Sequence, residues 1–330
     1  MSGSVVANNT FTAENIYLMP GLNTITATAR DQKENTSTTS ITVTCTKAVH
    51  IAITSPQDGA TINRPEVMVQ GTYEAGTEGV VIMVNDTVAI PLDDGRFIAN
   101  AVPLQQGENT ITATTTDSNG NTDAYPITVY ADELIEDLRL ASNIQSGVPP
   151  LEITFTVDYS YTNIDNMIVQ AEMDFEGDGV IDLNPTSTTF THTYETPGVY
   201  YPTITLTDEL GNSYTGSTAI VVYDRNTIDA LLKSKWNGMK QALMDGDIEG
   251  ALEYFHEGSK ETYREIFSLL QDRIADIASA MREIDFIYLE DRIAKYRIKR
   301  EEEAQGQIYH IAYYIYFIKG ADGLWKIESY

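Results

Sequence analysis

An internal repeat constrains this chain more than any other feature. Phe11 to Thr44 aligns with Phe97 to Tyr130 at a constant offset of 86, without a gap, and 16 of 34 positions are identical. Asn23-Thr-Ile-Thr-Ala-Thr28 returns as Asn109-Thr-Ile-Thr-Ala-Thr114, and Ile41-Thr-Val43 as Ile127-Thr-Val129. Solenoid units repeat every ~20–50 residues, so this longer period marks a duplicated domain. The complete copy has a hydrophobic period of two. Strand-like stretches fall near 49–54, 66–73, 79–84, 87–90, 96–102, 109–116 and 126–130. Turns at Asp58-Gly59, Asp94-Gly95 and Asn119-Gly120-Asn121 separate them, as in an antiparallel β-sandwich.

The charge distribution extends this division into domains. The 330 residues hold 48 acids against 21 bases, for a net charge of -27. Residues 1–47 carry three of each, residues 48–131 ten acids and two bases, residues 132–224 sixteen and one, and residues 225–330 nineteen and fifteen. Steps of this kind separate domains. So acidic a chain repels phosphate backbones, which argues against nucleic-acid binding. Cys45 is the single cysteine, so neither an intramolecular disulfide nor a cysteine-cluster metal site can form. No apolar run reaches the ~18 residues of a membrane-spanning helix. The opening Met-Ser-Gly-Ser lacks the features of a signal peptide and reads as an internal start.

The complete copy opens with Ile51-Ala52-Ile53-Thr54-Ser55-Pro56 before Gly59 and later reads Gly107-x-Asn109-x-Ile111-x-Ala113. It resembles the bacterial immunoglobulin-like modules of the glucodextranase domain-B type. Residues 132–224 form a different β-patterned module. Leu151, Ile153, Phe155, Val157 and Tyr159 alternate with polar residues; Met173-Asp-Phe-Glu-Gly-Asp-Gly179, His192-Thr-Tyr194 and Thr203-Ile-Thr-Leu-Thr-Asp208 follow. This order resembles a PKD domain, with Met173 where the family usually has tryptophan. Pro202 cannot donate to a sheet ladder, so it is expected at an edge or a bulge.

From residue 225 the period becomes helical. One apolar stripe runs through Ile228, Leu232, Trp236, Met239 and Leu243, a second through Ile248 to Phe255, and a third from Tyr263 to Met281 behind Ser259 as N-cap. Four strand-like runs follow, with Gly320-Ala-Asp-Gly323 as a hairpin turn and an Asp322-Gly-Leu-Trp-Lys-Ile327 ending. This region resembles the nuclear-transport-factor-2-like fold. The expected class is therefore multi-domain: antiparallel immunoglobulin-like β-sandwiches followed by an α+β cone-like domain. The expected domains are 1–47 (a partial repeat), 48–131 (immunoglobulin-like), 132–224 (PKD-like) and 225–330 (nuclear-transport-factor-2-like). The partial repeat reads as a copy cut short and loosely held, with strand donation by another molecule as the alternative.

The sharpest chemical signal is Asp174-Phe-Glu176-Gly-Asp178-Gly179-Val-Ile181-Asp182. Alternating oxygen ligands with a glycine at the sixth position match the first half of a calcium loop. Pro185 stands where that loop needs a bidentate Glu, so a β-turn held by Asp–amide bonds is the competing reading. Asp174, Glu176, Asp178 and Asp182 are thus candidate calcium ligands. In the last domain Asp285 and His310 are candidate ligand-binding groups, His310 through a position inside the cone. Lys295, Arg297 and Lys299 form a basic strand face, read as solvated or as an anion patch. No HExxH, GxSxG or P-loop occurs, so the chain reads more readily as non-enzymatic than as an enzyme.

The resemblances imply a secreted or cell-surface bacterial protein whose spacer or adhesive modules present a C-terminal interaction or ligand-binding domain. The alternative is a small-molecule-binding or enzymatic C-terminal cone. A protein or cell-surface glycan partner is expected, though sugar platforms want aromatics and the second module has only Tyr73, Phe97, Tyr125 and Tyr130.

Overall fold

A computed structural model of the chain describes residues 4–6, 10–13, 21–30, 33–45, 49–75, 80–92, 94–117, 121–134, 138–159, 167–304, 307–320 and 324–330. The expected turns at Asn119-Gly120 and Gly320–Gly323, and the opening residues 1–3, lie wholly or partly outside them. Two hairpins come first. β1 (Ser4–Val6) pairs with β2 (Thr10–Thr12), and β3 (Gly21–Arg30) pairs with β4 (Thr36–Cys45).

The complete copy is a two-sheet sandwich. Its strands are β5 (Val49–Ser55), β6 (Glu66–Ala75), β7 (Val80–Val84), β8 (Thr87–Val88), β9 (Ile90–Pro91), β10 (Arg96–Pro103), β11 (Gly107–Asp117) and β12 (Thr122–Ala131). One sheet runs β5-β6-β10-β9 and the other β12-β11-β7-β8. Alternation puts Ile51, Val69, Ile82, Phe97, Ile111 and Val129 into one core between them. The stretch 87–90, read as one strand, is two. Ala89 is buried and donates to the Ile82 carbonyl, and there the chain leaves one sheet for the other.

The PKD-like module comprises β13 (Arg139–Ser142), β14 (Ser146–Gly147), β15 (Leu151–Asp158), β16 (Ile168–Asp174), β17 (Thr189–Tyr194), β18 (Gly198–Tyr200), β19 (Thr203–Asp208), β20 (Ser213–Ser217) and β21 (Ile220–Val222). Met173 fills the usual tryptophan position and is fully buried beside Phe155 and Ile204. Pro202 is not at an edge or bulge. It lies just before β19, the central strand of β16-β19-β20, so no ladder donor is lost.

The last region is a distinct α+β domain: α1 (Arg225–Met244), α2 (Ile248–Leu252), α3 (Glu257–Leu269), α4 (Ile274–Ala280), then β22 (Asp285–Glu290), β23 (Ile293–Ala304), β24 (Gln307–Lys319) and β25 (Trp325–Ser329). Asp224 caps α1 by accepting from Thr227 N–H. His256, not Ser259, caps α3, accepting from Gly258 N–H at 3.3 Å. The third apolar stripe breaks at Leu270, after which α4 packs on α1. The sheet does not close into a cone. Its order is β18-β21-β14-β22-β23-β24-β25, so the free edge of β22 is taken by the PKD strand β14. Trp236, Phe255, Phe267, Tyr296 and Phe317 fill the space between helices and sheet.

The modules meet through bonded interfaces. Leu92 and Ile98 of the sandwich pack with Ala219 and Val221 of the PKD module, flanked by Met68, Val199 and Tyr201. Within that seam Asn100 Nδ2 donates to the Ala219 carbonyl at 2.9 Å, and Ala219 N–H donates back to Oδ1 at 3.0 Å. At the next junction Asp291 Oδ1 accepts from Gln145 and Ser146 N–H at 2.6 and 2.8 Å. A Cβ on Gly147 would sit 2.9 Å from the Leu289 carbonyl, so β14 and β22 approach this closely only with glycine there. Replacing Asn100 with Ala strands two buried backbone groups, which costs about 2 kcal/mol. The expected outcome is a lower urea midpoint for the sandwich–PKD unit; an unchanged midpoint would show that the seam does not depend on this pair.

Candidate functional site

The acidic loop between β16 and β17 is built around Asp174. This side chain is 7% exposed and its two oxygens take four backbone amides. Oδ1 accepts from Glu176, Gly177 and Asp178 N–H at 3.1, 2.6 and 3.3 Å, and Oδ2 from Gly179 N–H at 2.7 Å. Asp182 Oδ2 accepts from Phe175 N–H at 2.7 Å, which pulls the far end of the loop back onto its start. Gly177 is needed for its φ of 78° and because a Cβ there would meet the Tyr201 carbonyl at 2.7 Å. The competing turn reading therefore describes Asp174 well.

Three of the four candidate ligands converge. One oxygen each from Asp174, Glu176 and Asp182 lies within 4.8 Å of the others. Asp178 stands outside this group, its Oδ1 accepting from Val180 N–H at 2.8 Å. Crowding of like charge is visible at Glu176, whose pKa is pushed up to about 7, first by burial and then by Asp182, Asp178 and Asp174. His192 Nε2 lies 3.7 Å from Glu176 Oε1, while burial pushes its pKa down. Both shifts favour neutral partners, so this contact carries little ionic character near neutrality. The imidazole stacks on Phe175, centroids 4.0 Å apart, and meets Tyr194 edge-on; the Tyr194 hydroxyl donates to the Phe175 carbonyl.

Asp285 and His310 do not form a site. His310 is exposed, 3.3 Å from Glu301, on the solvent face of β24, while Ile315 and Phe317 point into the core. The expectation of a His inside the cone is thus overturned by strand register. Asp285 faces Arg297 and Lys299 at 3.9 and 3.7 Å. It is opposite Arg297, whereas His310 is opposite Glu301. Four residues of strand rise place them ~13 Å apart along the sheet alone. Lys295 lies over the Tyr314 ring, so the basic face is matched by carboxylates and aromatic rings.

Two features escaped the sequence reading. Inside the last domain the Tyr296 hydroxyl and Asp229 Oδ1 are buried without a hydrogen-bond partner among the described residues. The Tyr296 pKa is raised, by burial first and then by Asp229. They lie 67 residues apart, on β23 and α1, and only the helix–sheet packing joins them. Between the sandwich and the PKD module lies a cleft of about 560 Å³, lined by Arg64, Glu66, Asn100, Arg139, Asp158 and Thr218 among others. Two of the three bases in residues 48–224 face it.

A carboxyl whose pKa rises on folding adds stability only where it keeps its proton. The Glu176 contribution is full below its ordinary pKa of 4.5 and is lost as pH rises through about 7. The urea midpoint of the PKD module should fall across that window, and Glu176→Gln should flatten the profile. A carboxyl carbon titrating near 4.5 by NMR would contradict this.

Residues 50–133 match the family described as glucodextranase, domain B, and residues 137–221 match the PKD domain family. No curated protein sequence matches the chain. Among solved structures it is similar to the fibronectin(III)-like modules of CbhA from Clostridium thermocellum, at 16% identity over 52% of this chain and 94% of that one, with a TM-score of 0.20. It is similar to dimeric latent PorU from Porphyromonas gingivalis at 10% identity, over 65% of this chain and 25% of that one, TM-score 0.30. It is also similar to SGBP-B of Bacteroides ovatus, a structure in complex with a mixed-linkage heptasaccharide, at 14% identity over 62% and 54% of the two chains, TM-score 0.19. The chain is therefore a modular protein that carries an immunoglobulin-like, glucodextranase-B-like domain and a PKD domain ahead of a distinct α+β domain.

Proposed function

We propose that this chain works as a stiff spacer in a secreted or cell-surface protein, holding its C-terminal domain in a fixed orientation toward a partner. The bonded junctions carry this reading: the reciprocal Asn100–Ala219 pair, and the sheet that continues from the PKD module into the last domain. Modules joined by flexible linkers move freely by default, whereas buried polar pairs and shared strands fix them. We assign the Arg64–Arg139 cleft as the docking surface for a protein or cell-surface glycan partner. The C-terminal domain, of nuclear-transport-factor-2-like type, serves as the presented interaction domain. Spin labels at Asp86→Cys and Glu265→Cys, in a Cys45→Ser background, should give one narrow distance distribution. A broad distribution would overturn stiff presentation.

A second reading attaches to the buried Tyr296–Asp229 pair. Tyr296 is fully buried against Asp229, which also pairs with Lys233, and a ligand-binding or enzymatic role of the last domain would centre on this polar group in the core rather than on Asp285 and His310.

Calcium binding belongs to the acidic loop. Asp174, Glu176 and Asp182 would supply carboxylate oxygens, the cation replacing the proton that Glu176 otherwise keeps. Binding to the native state alone adds ~2.7 kcal/mol at a hundredfold excess over Kd. Millimolar calcium should raise the melting temperature of the full chain more at pH 8 than at pH 6, and Asp182→Asn should remove the rise. Equal melting points in calcium and EDTA at pH 8 would sink the calcium assignment.

A further inference from the structure

A second, smaller pocket opens where the sandwich, the PKD module and the last domain meet. It measures about 180 Å³. Val88 and Ile90 line it from the sandwich, Ser146 from the PKD module, and Asp291, Arg292 and Lys319 from the last domain. A cavity of this size admits several waters, and so a small ligand.

Polar groups of this lining stand unspent. Lys319 ends β24 and is partly buried, and its ammonium meets no carboxylate or carbonyl among the described residues. The charge that acts on it is a like one, that of Arg292. Arg292 commits its Nε to the Lys319 carbonyl at 2.8 Å, and its terminal nitrogens bond nothing among the described residues. Ser146 is 5% exposed. Its backbone N–H and carbonyl are both bonded to Asp291, whereas its hydroxyl has no partner among the described residues. Asp291 is the one carboxylate of the lining, and its Oδ1 is already held by the Gln145 and Ser146 amides. Two cations therefore face one occupied carboxylate, in a chain whose 48 acids make counter-charge easy to find. Burial first, and then Arg292, push the Lys319 pKa down to about 8. A cation withdrawn from water without a partner costs stability, and an anion in the pocket offsets that cost.

The remaining wall selects the kind of anion. Val88, Ala89, Ile90 and Tyr223 give it an apolar surface. Such a wall suits a charged head on a short hydrocarbon body, whereas inorganic phosphate would leave oxygens facing apolar groups. The net charge of -27 acts in the same sense, because it repels a dianion twice as strongly as a monoanion. We propose that the three-module junction is a binding site for a small monocarboxylate, with Lys319, Arg292 and Ser146 holding the carboxylate and Val88 and Ile90 covering its apolar body. This site is separate from the Arg64–Arg139 cleft and does not depend on it.

Butyrate is a suitable probe, added to the full chain near neutral pH and followed by the backbone amide shifts of Ser146 and residue 319. The shifts should saturate with a Kd of ~1 mM, an ordinary strength for so small a ligand. Butyramide, the neutral analogue, and inorganic phosphate should each bind at least ~10-fold more weakly. Lys319→Met should weaken butyrate by ~10-fold or more and Ser146→Ala by ~3-fold, the difference between a charged and a neutral hydrogen bond. Lys299→Met, on the exposed basic face of β23, should leave binding unchanged. Since Lys319→Met removes an unpaired charge, its melting temperature should not fall, which shows that the junction is intact. Arg292→Gln, at an exposed position, supplies an independent reading and should weaken butyrate by ~5-fold or more. No saturation by ~20 mM butyrate, well above the expected Kd, would overturn the proposal. An equal response to butyramide, phosphate binding as tightly as butyrate, or undiminished binding in Lys319→Met or Arg292→Gln would overturn it too.

Discussion

Backbone N–H and C=O groups that lose water must find partners, and in this chain that requirement is met across module boundaries as well as within them. Ala219 is fully buried at the seam between sandwich and PKD module, and both of its backbone groups are satisfied by one side chain, Asn100, 119 residues earlier. Asp291 does the same for Gln145 and Ser146. These bonds hold only in one relative placement of the modules. The same need explains the open sheet of the last domain. With β14 bonded to β22, that edge is already satisfied and the sheet has no reason to curl back on itself.

The acidic loop illustrates how one set of carboxylates serves two demands. Asp174 spends both oxygens on four amides and so shapes the turn, while Asp182 ties down Phe175 N–H. Glu176 is left facing them across a short gap. Three negative charges cannot share that space cheaply, and a proton on Glu176 relieves the repulsion. Shape and charge response thus come from the same few residues.

Much of this was legible in residue order. The gapless 86-residue offset announced the duplicated domain, and period-two alternation located the sandwich strands. Asp174 with Gly177 and Gly179 announced a tight carboxylate-held turn. The misses have physical causes. Ser259 reads as the cap of α3 but His256 takes that place, because capping depends on backbone geometry at the cap, not on composition. The break at Leu270 lacks any Gly or Pro, and the apolar stripe runs through it. His310 shares its strand parity with Ala312 and Tyr314, and that is the face β24 turns to solvent, so aromatic neighbours of the same parity did not signal burial.

Sequence alone determined the module types, the duplication, the charge imbalance between segments and the local shape of the acidic loop. Each depends on residues close together in the chain or on patterns that recur along it. Tertiary structure decided which polar groups meet. Asn100 with Ala219, Asp229 with Tyr296, and Glu176 with His192 are brought together by strand register and packing, which link distant positions without any local signal. It also decided that Phe11 and Ile41 are exposed where Phe97 and Ile127 are buried. The residues are the same in both copies, and burial depends on the strands that lie beside them.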